Sequence, residues 1–309
     1  MILIVTYKED FTADFLINKL NAQRRKYLRL NTDNIDDHFY KSSIDSKYSF
    51  QLNSINFFDG IWYRRIKTPQ LNENFSVHES AYLLGEYKAL FQNLFSGLES
   101  RNWMSKPLAI TKAEDKTLQL RESQKLKFKI PETIISNDKD VIREFAKTHV
   151  ENGLVIKPLY SGKYQTANGS SLIYTSKLKS EDLRSIDNFR ITPCIIQQLI
   201  PKLYEIRVTV VNNKIFAASV DSQSNPNTQI DWRKEKLPFT AYNLPNSIAT
   251  KCIELVSNLN LNFGAIDLIR GCDGEYYFLE INPNGQWAWI EMDTGLPISQ
   301  AIIDFLYES

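Results

Sequence analysis

An unbroken apolar run, Ile2-Leu3-Ile4-Val5, meets the charged stretch Lys8-Glu9-Asp10 and predicts a short buried strand over Ile2–Tyr7. Phe11, Phe15, Ile17 and Leu20 then recur at helical spacing, and Tyr27-Leu28-Arg29-Leu30 predicts a second strand. This β-α-β opening predicts a small, doubly wound α/β lobe at the N-terminus. It lacks the Gly-x-Gly-x-x-Gly turn of dinucleotide binders, so no NAD or FAD site is expected there. Phe50–Phe57 alternates like a hairpin strand, and Gly60–Arg65 predicts a further strand ending in two arginines. Val77–Leu98 carries Leu83, Leu84, Tyr87, Leu90, Phe91, Leu94 and Leu98 on one helical face.

A boundary is expected between Lys106-Pro107 and Asp115-Lys116. Beyond it the pattern predicts a helix (Thr117–Leu126), a strand (Thr133–Ile135), and a helix capped by Asn137-Asp138 that ends near His149. Leu154–Leu159 is a strand; a loop rich in Gly, Ser, Tyr and Asn runs from Ser161 to Ser171, before a strand over Leu172–Thr175. Strands Ile195–Ile200, Glu205–Val211 and Ile215–Asp221 follow, then a helix (Ser247–Leu259) and a closing helix from Pro297 to Leu306. The expected domains are 1–110, 111–200 and 201–309.

Between those last two helices lies the stretch richest in chemistry. Phe263–Arg270 and Glu275–Pro283 flank Gly271-Cys272-Asp273-Gly274, which reads as an antiparallel hairpin around Asp-Gly. Alternation places Glu280 and Asn282 on one face. A two-residue turn sets Asp267 opposite Glu280, and a four-residue loop sets it one diagonal step away. Either even-length loop leaves Asp267, Glu280 and Asn282 together. Two carboxylates and an amide carbonyl form an all-oxygen set of the kind Mg²⁺ takes beside substrate phosphates. A solvated acidic hairpin face is the plainer alternative, but the runs are otherwise apolar, and acids are depleted from strands.

Composition narrows the class. A chain of 309 residues can build two or three lobes. A net charge of +1 gives no long-range pull toward nucleic acid or an anionic membrane. Cys194, Cys252 and Cys272 form no Cys-x-x-Cys pair, so neither a disulfide framework nor a zinc site is indicated. The N-terminal apolar run is too short for a signal peptide, and no run is long enough to span a bilayer. A cytoplasmic protein is expected.

Single residues gain meaning from this context. Lys157 ends an apolar run before Pro158, where a bare lysine costs desolvation free energy. Beside a Gly-bearing loop and a metal set, a phosphate contact explains it better than a snorkelling edge lysine. The loop is not a P-loop, since Gly162-Lys163 is followed by Tyr164. Gly162 and Gly169 still permit a flap whose N–H groups cover phosphates. Glu205 and Arg207 share a strand face, and Asp231-Trp232-Arg233 repeats the acid–arginine spacing in a loop. Arginine can hold phosphate oxygens with two N–H groups, and a neighbouring carboxylate can orient it or take a proton.

The order Lys157, Gln197-Gln198-Leu199-Ile200, Glu205-Ile206-Arg207, Arg233, Asp267, then Glu280-x-Asn282-Pro283 resembles the ATP-grasp carboxylate–amine ligases, including those that glutamylate a ribosomal protein. The hinge acid of that family is Gln198 here, which is compatible with ATP binding because the hinge reads adenine partly through backbone groups. Further marks are similar to the microviridin-type (graspetide) peptide macrocyclases. They are Trp62-Tyr63-Arg64-Arg65, Ile130–Asp138, Asp231-x-Arg233 and the tail Asn282-Pro283-Asn284-Gly285-Gln286-Trp287, continuing through Glu291 to Thr294-Gly295-Leu296-Pro297-Ile298. That branch has Trp followed by Ala-x-x-Lys; here Trp103 is present, and Lys116 follows Ala113-Glu114-Asp115.

The resemblance implies an ATP-grasp fold: an N-terminal doubly wound α/β lobe, a central lid and a C-terminal lobe that closes with it on ATP and Mg²⁺. It implies ATP binding by Lys116, Lys157, Gln198, Leu199, Ile200, Glu205 and Arg233, and metal binding by Asp267, Glu280 and Asn282. It gives Arg207 the stabilisation of an acyl phosphate, and gives Asp231 the orienting of the attacking group or acceptance of its proton. The expected substrate is a ribosomal precursor peptide, with a helical leader and a core bearing Thr, Ser or Lys and Asp or Glu. The product is an ω-ester or ω-amide crosslink, and the enzyme a homodimer. A ligase adding glutamate or another amino acid shares every ATP-site residue. A catalytically silent ATP- and peptide-binding module is the remaining alternative.

Overall fold

The opening apolar run becomes β1 (Ile2–Thr6), every residue of it buried. Asp10 then starts α1 (Phe11–Ala22) by accepting the N–H groups of Thr12 and Ala13, a cap that contributes ~1 kcal/mol. β2 (Tyr27–Asn31) returns parallel to β1. This computed structural model describes residues 1–34, 38–44, 48–71, 74–149, 153–160, 163–166, 169–188 and 192–308. β3 (Tyr40–Ile44) and β4 (Tyr48–Leu52) form a separate antiparallel ribbon. The expected strand Phe50–Phe57 therefore ends early, because Asn53 and Ser54 adopt left-handed backbone (φ 48° and 63°). β5 (Phe57–Tyr63) pairs with β1, leaving Arg64 and Arg65 just beyond its end. α2 (Val77–Gly97) leads to β6 (Glu99–Trp103), and the parallel sheet runs β2-β1-β5-β6. Leu16 and Leu20 of α1 cover the Ile2 and Ile4 face, while Phe91 and Leu94 of α2 cover Leu3 and Val5. The doubly wound expectation holds.

α3 (Pro107–Ala113) occupies the stretch expected as a boundary, and Asp115 caps α4 (Lys116–Lys125). β7 (Thr133–Ser136), α5 (Lys139–Thr148) and β8 (Leu154–Lys157) follow. Where a loop was expected, β9 (Lys163–Thr166) and β10 (Gly169–Leu172) pair as a hairpin; Gly162 lies outside the described residues. The expected strand Leu172–Thr175 is not continuous either. The chain leaves β10 after Leu172, and the Thr175 N–H donates to Asp231 rather than to a ladder. After β11 (Ser176–Leu178) and α6 (Ser180–Arg184), β12 (Cys194–Gln198) completes an antiparallel sheet ordered β11-β8-β12-β7. One of its faces packs Leu154, Cys194 and Ile196 on Ile142 and Ala146 of α5.

β13 (Lys202–Val211), β14 (Lys214–Val220) and β15 (Thr240–Ala241) begin the last sheet; α7 (Asn246–Asn258) separates them from β16 (Phe263–Gly271) and β17 (Tyr276–Asn282). The strands run antiparallel in the order β15-β14-β13-β16-β17. Ile206, Val208, Ile266, Leu268, Phe278 and Ile281 bury one face against Cys252, Leu255 and Val256 of α7. After α8 (Ala288–Thr294), α9 (Ile298–Tyr307) crosses back to the first sheet, where the Asn102 side chain donates to the Phe305 and Glu308 carbonyls at its C-terminal end. Among the described residues, no helix is long and apolar enough to cross a membrane. All three cysteines are free.

Candidate active site

The face of the last sheet opposite α7 carries the polar residues. Register places Arg207 of β13 beside Asp267 of β16, and Asp267 beside Glu280 of β17, so one row crosses three strands. Asn282 pairs with Ala265, one step along on the same face. The row forms by a route the sequence did not indicate. Gly271 N–H donates to the Glu275 carbonyl, closing the odd loop Cys272-Asp273-Gly274, with Gly274 in the left-handed region (φ 83°). A bulge at Leu279 then restores the pairing, since Leu268 meets Phe278 while Asp267 meets Glu280. Leu279 and Glu280 consequently both line the cleft.

Each carboxylate in the row meets a cation. Arg207 Nη1 lies 2.8 Å from both oxygens of Asp267, and Lys116 Nζ lies 2.6 Å from Glu280. Burial acts to raise the Glu280 pKa, but Lys116, with Lys157 and Arg233, outweighs it and holds the group down at about 2. Burial pushes Asp267 up, against the pull of Arg207. α4 fixes this edge twice: Lys116 reaches Glu280, and one turn later the buried Gln119 accepts from Ile281 N–H at 3.1 Å and donates to its carbonyl at 2.9 Å. Gln119 thereby supplies the hydrogen bonds of a missing strand between Glu280 and Asn282. Its signal in the sequence was weak, a glutamine on a polar helix.

Glu205 and Arg207 share a face as expected, but they do not pair with each other. Glu205 accepts from Lys202 at 2.6 Å, while burial holds its pKa up. The Asp231–Arg233 pair does form. Arg233 Nε and Nη2 donate to the two oxygens of Asp231 at 2.8 and 2.6 Å, and Thr175 N–H donates at 3.0 Å. Burial would raise the Asp231 pKa, yet these donors keep it below the usual carboxylate range.

The facing wall comes from β8 and β12. Lys157 and Gln197 lie on the side of their sheet away from α5, and Lys157 Nζ donates to Gln197 Oε1 at 2.7 Å. Gln197 donates in turn to Thr133 Oγ1 at 2.9 Å. Burial lowers the Lys157 pKa, opposed by Glu280 and Glu205 across the gap. In the expected hinge, Gln198 N–H goes to the Glu132 carbonyl and Leu199 N–H to the Gly153 carbonyl. A base edge there must be read by other groups of the segment. Lys116, Lys157, Gln198, Leu199, Ile200, Glu205, Asp231, Arg233, Asp267, Glu280 and Asn282 all line one cleft of about 340 Å³, and Arg207 lies against its floor through Asp267.

Among the described residues, no three His, Cys, Asp or Glu side chains gather as a metal cage. The donor set instead suits Mg²⁺, which takes one or two carboxylates and completes its octahedron with water and substrate phosphate. Glu280, held ionised, and the neighbouring Asp267 and Asn282 fit that demand.

A cation-lined cleft between a four-stranded and a five-stranded antiparallel sheet, over an Asp, Glu-x-Asn face, defines an ATP-grasp ligase. The chain belongs to the RimK-like ATP-grasp family, whose domain model matches residues 113–306; a MvdD pre-ATP-grasp domain matches residues 1–111. Among solved structures it is similar to the macrocyclase MdnB from Microcystis aeruginosa MRC, with 30% identity over 100% of this chain and 99% of that one, TM-score 0.80. It is also similar to macrocyclase MdnC of the same organism, bound with precursor peptide MdnA (27% identity, 99% of each chain, TM-score 0.86). A third is a Chryseobacterium gregarium RiPP-associated ATP-grasp ligase in complex with ADP and a leader and core peptide (25% identity, 99% of this chain and 96% of that one, TM-score 0.88). No curated protein matches the chain in sequence.

Proposed function

We propose that this enzyme activates Asp or Glu side chains of a ribosomal precursor peptide with ATP and joins each to a hydroxyl or amine of the same peptide, releasing ADP and phosphate. The observation that carries the reading is the Arg207–Asp267–Glu280 row with Asn282, facing Lys157 across one cleft. Asp267, Glu280 and Asn282 would hold Mg²⁺, which supplies charge neutralisation to the transferring phosphoryl group. Lys116, Lys157 and Arg233 bind phosphate oxygens, and the segment Gln198–Ile200 borders the base, with Glu205 on the adjoining cleft wall. Arg207, held by Asp267, presents its guanidinium to the acyl phosphate. Asp231 has a lowered pKa and several donors, which makes it a group that orients Arg233 and the nucleophile rather than a strong base.

Peptide complexes of MdnC and of the Chryseobacterium ligase support a peptide partner. A helical leader, a homodimer and a cytoplasmic setting complete the reading, and light scattering on the purified enzyme tests the dimer. The three domains proceed as 1–110, 111–200 and 201–309. The decisive experiment incubates enzyme, MgATP and a genomically adjacent peptide bearing Thr, Ser or Lys with Asp or Glu. ADP release matched by loss of water from the peptide mass supports the macrocyclase. Addition of a free amino acid to the peptide or to a protein would replace it with the amino-acid-adding ligase.

A further inference from the structure

Trp62-Tyr63-Arg64-Arg65 stands apart from the cleft-lining set, yet Arg64 is among the most enclosed side chains of the chain, 1% exposed. Burial lowers its pKa to about 10, so it stays charged near neutrality, and its two Nη groups donate to one segment. Nη1 donates to the Asn284 carbonyl at 2.6 Å and weakly to the Gly285 carbonyl at 3.3 Å, and Nη2 donates to Gln286 Oε1 at 2.7 Å. Nε lies 3.5 Å from Asp10, the residue that caps α1. Thr12 of that helix also donates to Gln286 Oε1. The end of β5 and the start of α1 thus grip the turn that follows Asn282.

That turn abuts the row. Gln286 offers its carbonyl to Arg207 Nη2 at 3.5 Å. A side chain at Gly285 would bring a Cβ within 2.4 Å of Ala265 Cβ and 2.7 Å of Arg207 Nη2, so the backbone passes there only because the residue is glycine. Trp287, fully buried between Phe15 and Trp62, anchors the far end. A shift of residues 284–286 must therefore move Asn282, Arg207 or both.

We propose that Arg64 is a positioning residue for the phosphoryl-transfer site: its planar fork sets the turn 284–286 and, through it, Asn282 and the Arg207–Asp267 pair. This rests on the MgATP reading above. Lysine keeps the charge but carries its three N–H donors on one nitrogen, so it does not reproduce the spread of the two Nη groups over residues 284–286.

With ADP as the probe, calorimetry in EDTA and then in Mg²⁺ measures how much the metal tightens the nucleotide. Arg64→Lys should cut that gain about 10-fold, as loss of an outer support of metal ligands does. It should leave the affinity in EDTA within about twofold, because the nucleotide itself is not touched. Hydrogen exchange of the peptide covering 282–287 should rise. Gln286→Ala removes one partner without stranding the charge; should Arg64→Lys fail to fold, it gives a smaller loss of the same kind. An unchanged Mg²⁺ gain in either folded variant overturns the proposal. Asp267→Asn separates the two readings. If it leaves the gain at the wild-type value, the metal assignment fails, and exchange at 282–287 alone judges Arg64, with unchanged protection in Arg64→Lys overturning its role.

Discussion

On the wall made by β13, β16 and β17, each carboxylate has its own cation: Asp267 with Arg207, Glu205 with Lys202, Glu280 with Lys116. On the wall made by β8 and β12, Lys157 leans on the neutral amide of Gln197. The first wall is compensated within itself, and removing one member leaves a buried charge without its partner, which is costly. The second carries a charge whose nearest compensation lies across the gap, in Glu280 and Glu205. An anion entering the cleft therefore gains most from the lid wall, while a divalent cation must draw Asp267 and Glu280 from partners they already have. Chemistry should be sensitive to the first wall, and nucleotide affinity to the second.

The largest expected effect tests that division directly. Glu280→Gln should abolish peptide-dependent ADP formation with the fold intact, since it removes, at nearly constant volume, a charge proposed to hold Mg²⁺; near-normal ADP release would sink the metal assignment. Next, Arg233→Ala should reduce both ADP release and crosslinking by ~10²–10³, the usual loss for one preorganised phosphoryl contact. Asp231→Asn should suppress crosslinking by about 10²-fold, the usual loss for a misoriented nucleophile, and ADP release less, with acyl phosphate lost to water. Strict proportion between the two readouts would leave Asp231 as a structural partner of Arg233 alone.

Lys157→Ala should weaken ATP binding by about 10- to 100-fold, the range for a lost charge-assisted contact. If calorimetry with Mg²⁺ gives wild-type affinity, the contrast between the walls collapses. The smallest effect lies in acid. The Glu280 pKa of about 2 in the folded chain sits below an ordinary ~4.3 in the unfolded one. Its stabilisation is therefore complete above about pH 4.3 and is lost as pH falls toward 2. Urea unfolding of wild type and Glu280→Gln should show a stability gap that narrows through that window; a constant gap would mean that the Lys116 pair contributes nothing to folding.

How much of this was legible depends on how far each fact reaches along the chain. Alternation put Glu280 and Asn282 on one face, because facing is a local property of a strand. Asp267 was joined to them by an even-length loop, whereas the chain brings it there with an odd loop and a bulge. The odd loop and the Leu279 bulge were not visible, since their parities cancel in the pattern. Glu205 and Arg207 were placed correctly and partnered wrongly: Arg207 finds Asp267 through strand register, and Glu205 finds Lys202 at the strand's start. The stretch after Ser161 looked like a loop because its Gly, Ser and Asn content outweighed the alternation that pairs Lys163–Thr166 with Gly169–Leu172. Arg64 stood in plain view, but its partners lie about 220 residues later, beyond any local pattern.

The hairpin's two irregularities also decide where this chain can change length. Leu279 is skipped by the ladder, and Cys272-Asp273-Gly274 lie outside it, so neither fixes which residue faces Asp267. A residue lost at Leu279 would leave Phe278 on Leu268 and Glu280 on Asp267 in unbroken register, and one gained or lost in the loop leaves the pairing below it untouched. An insertion between Tyr276 and Phe278 has no such slack: it slides one strand by a single step and turns Glu280 away from the cleft.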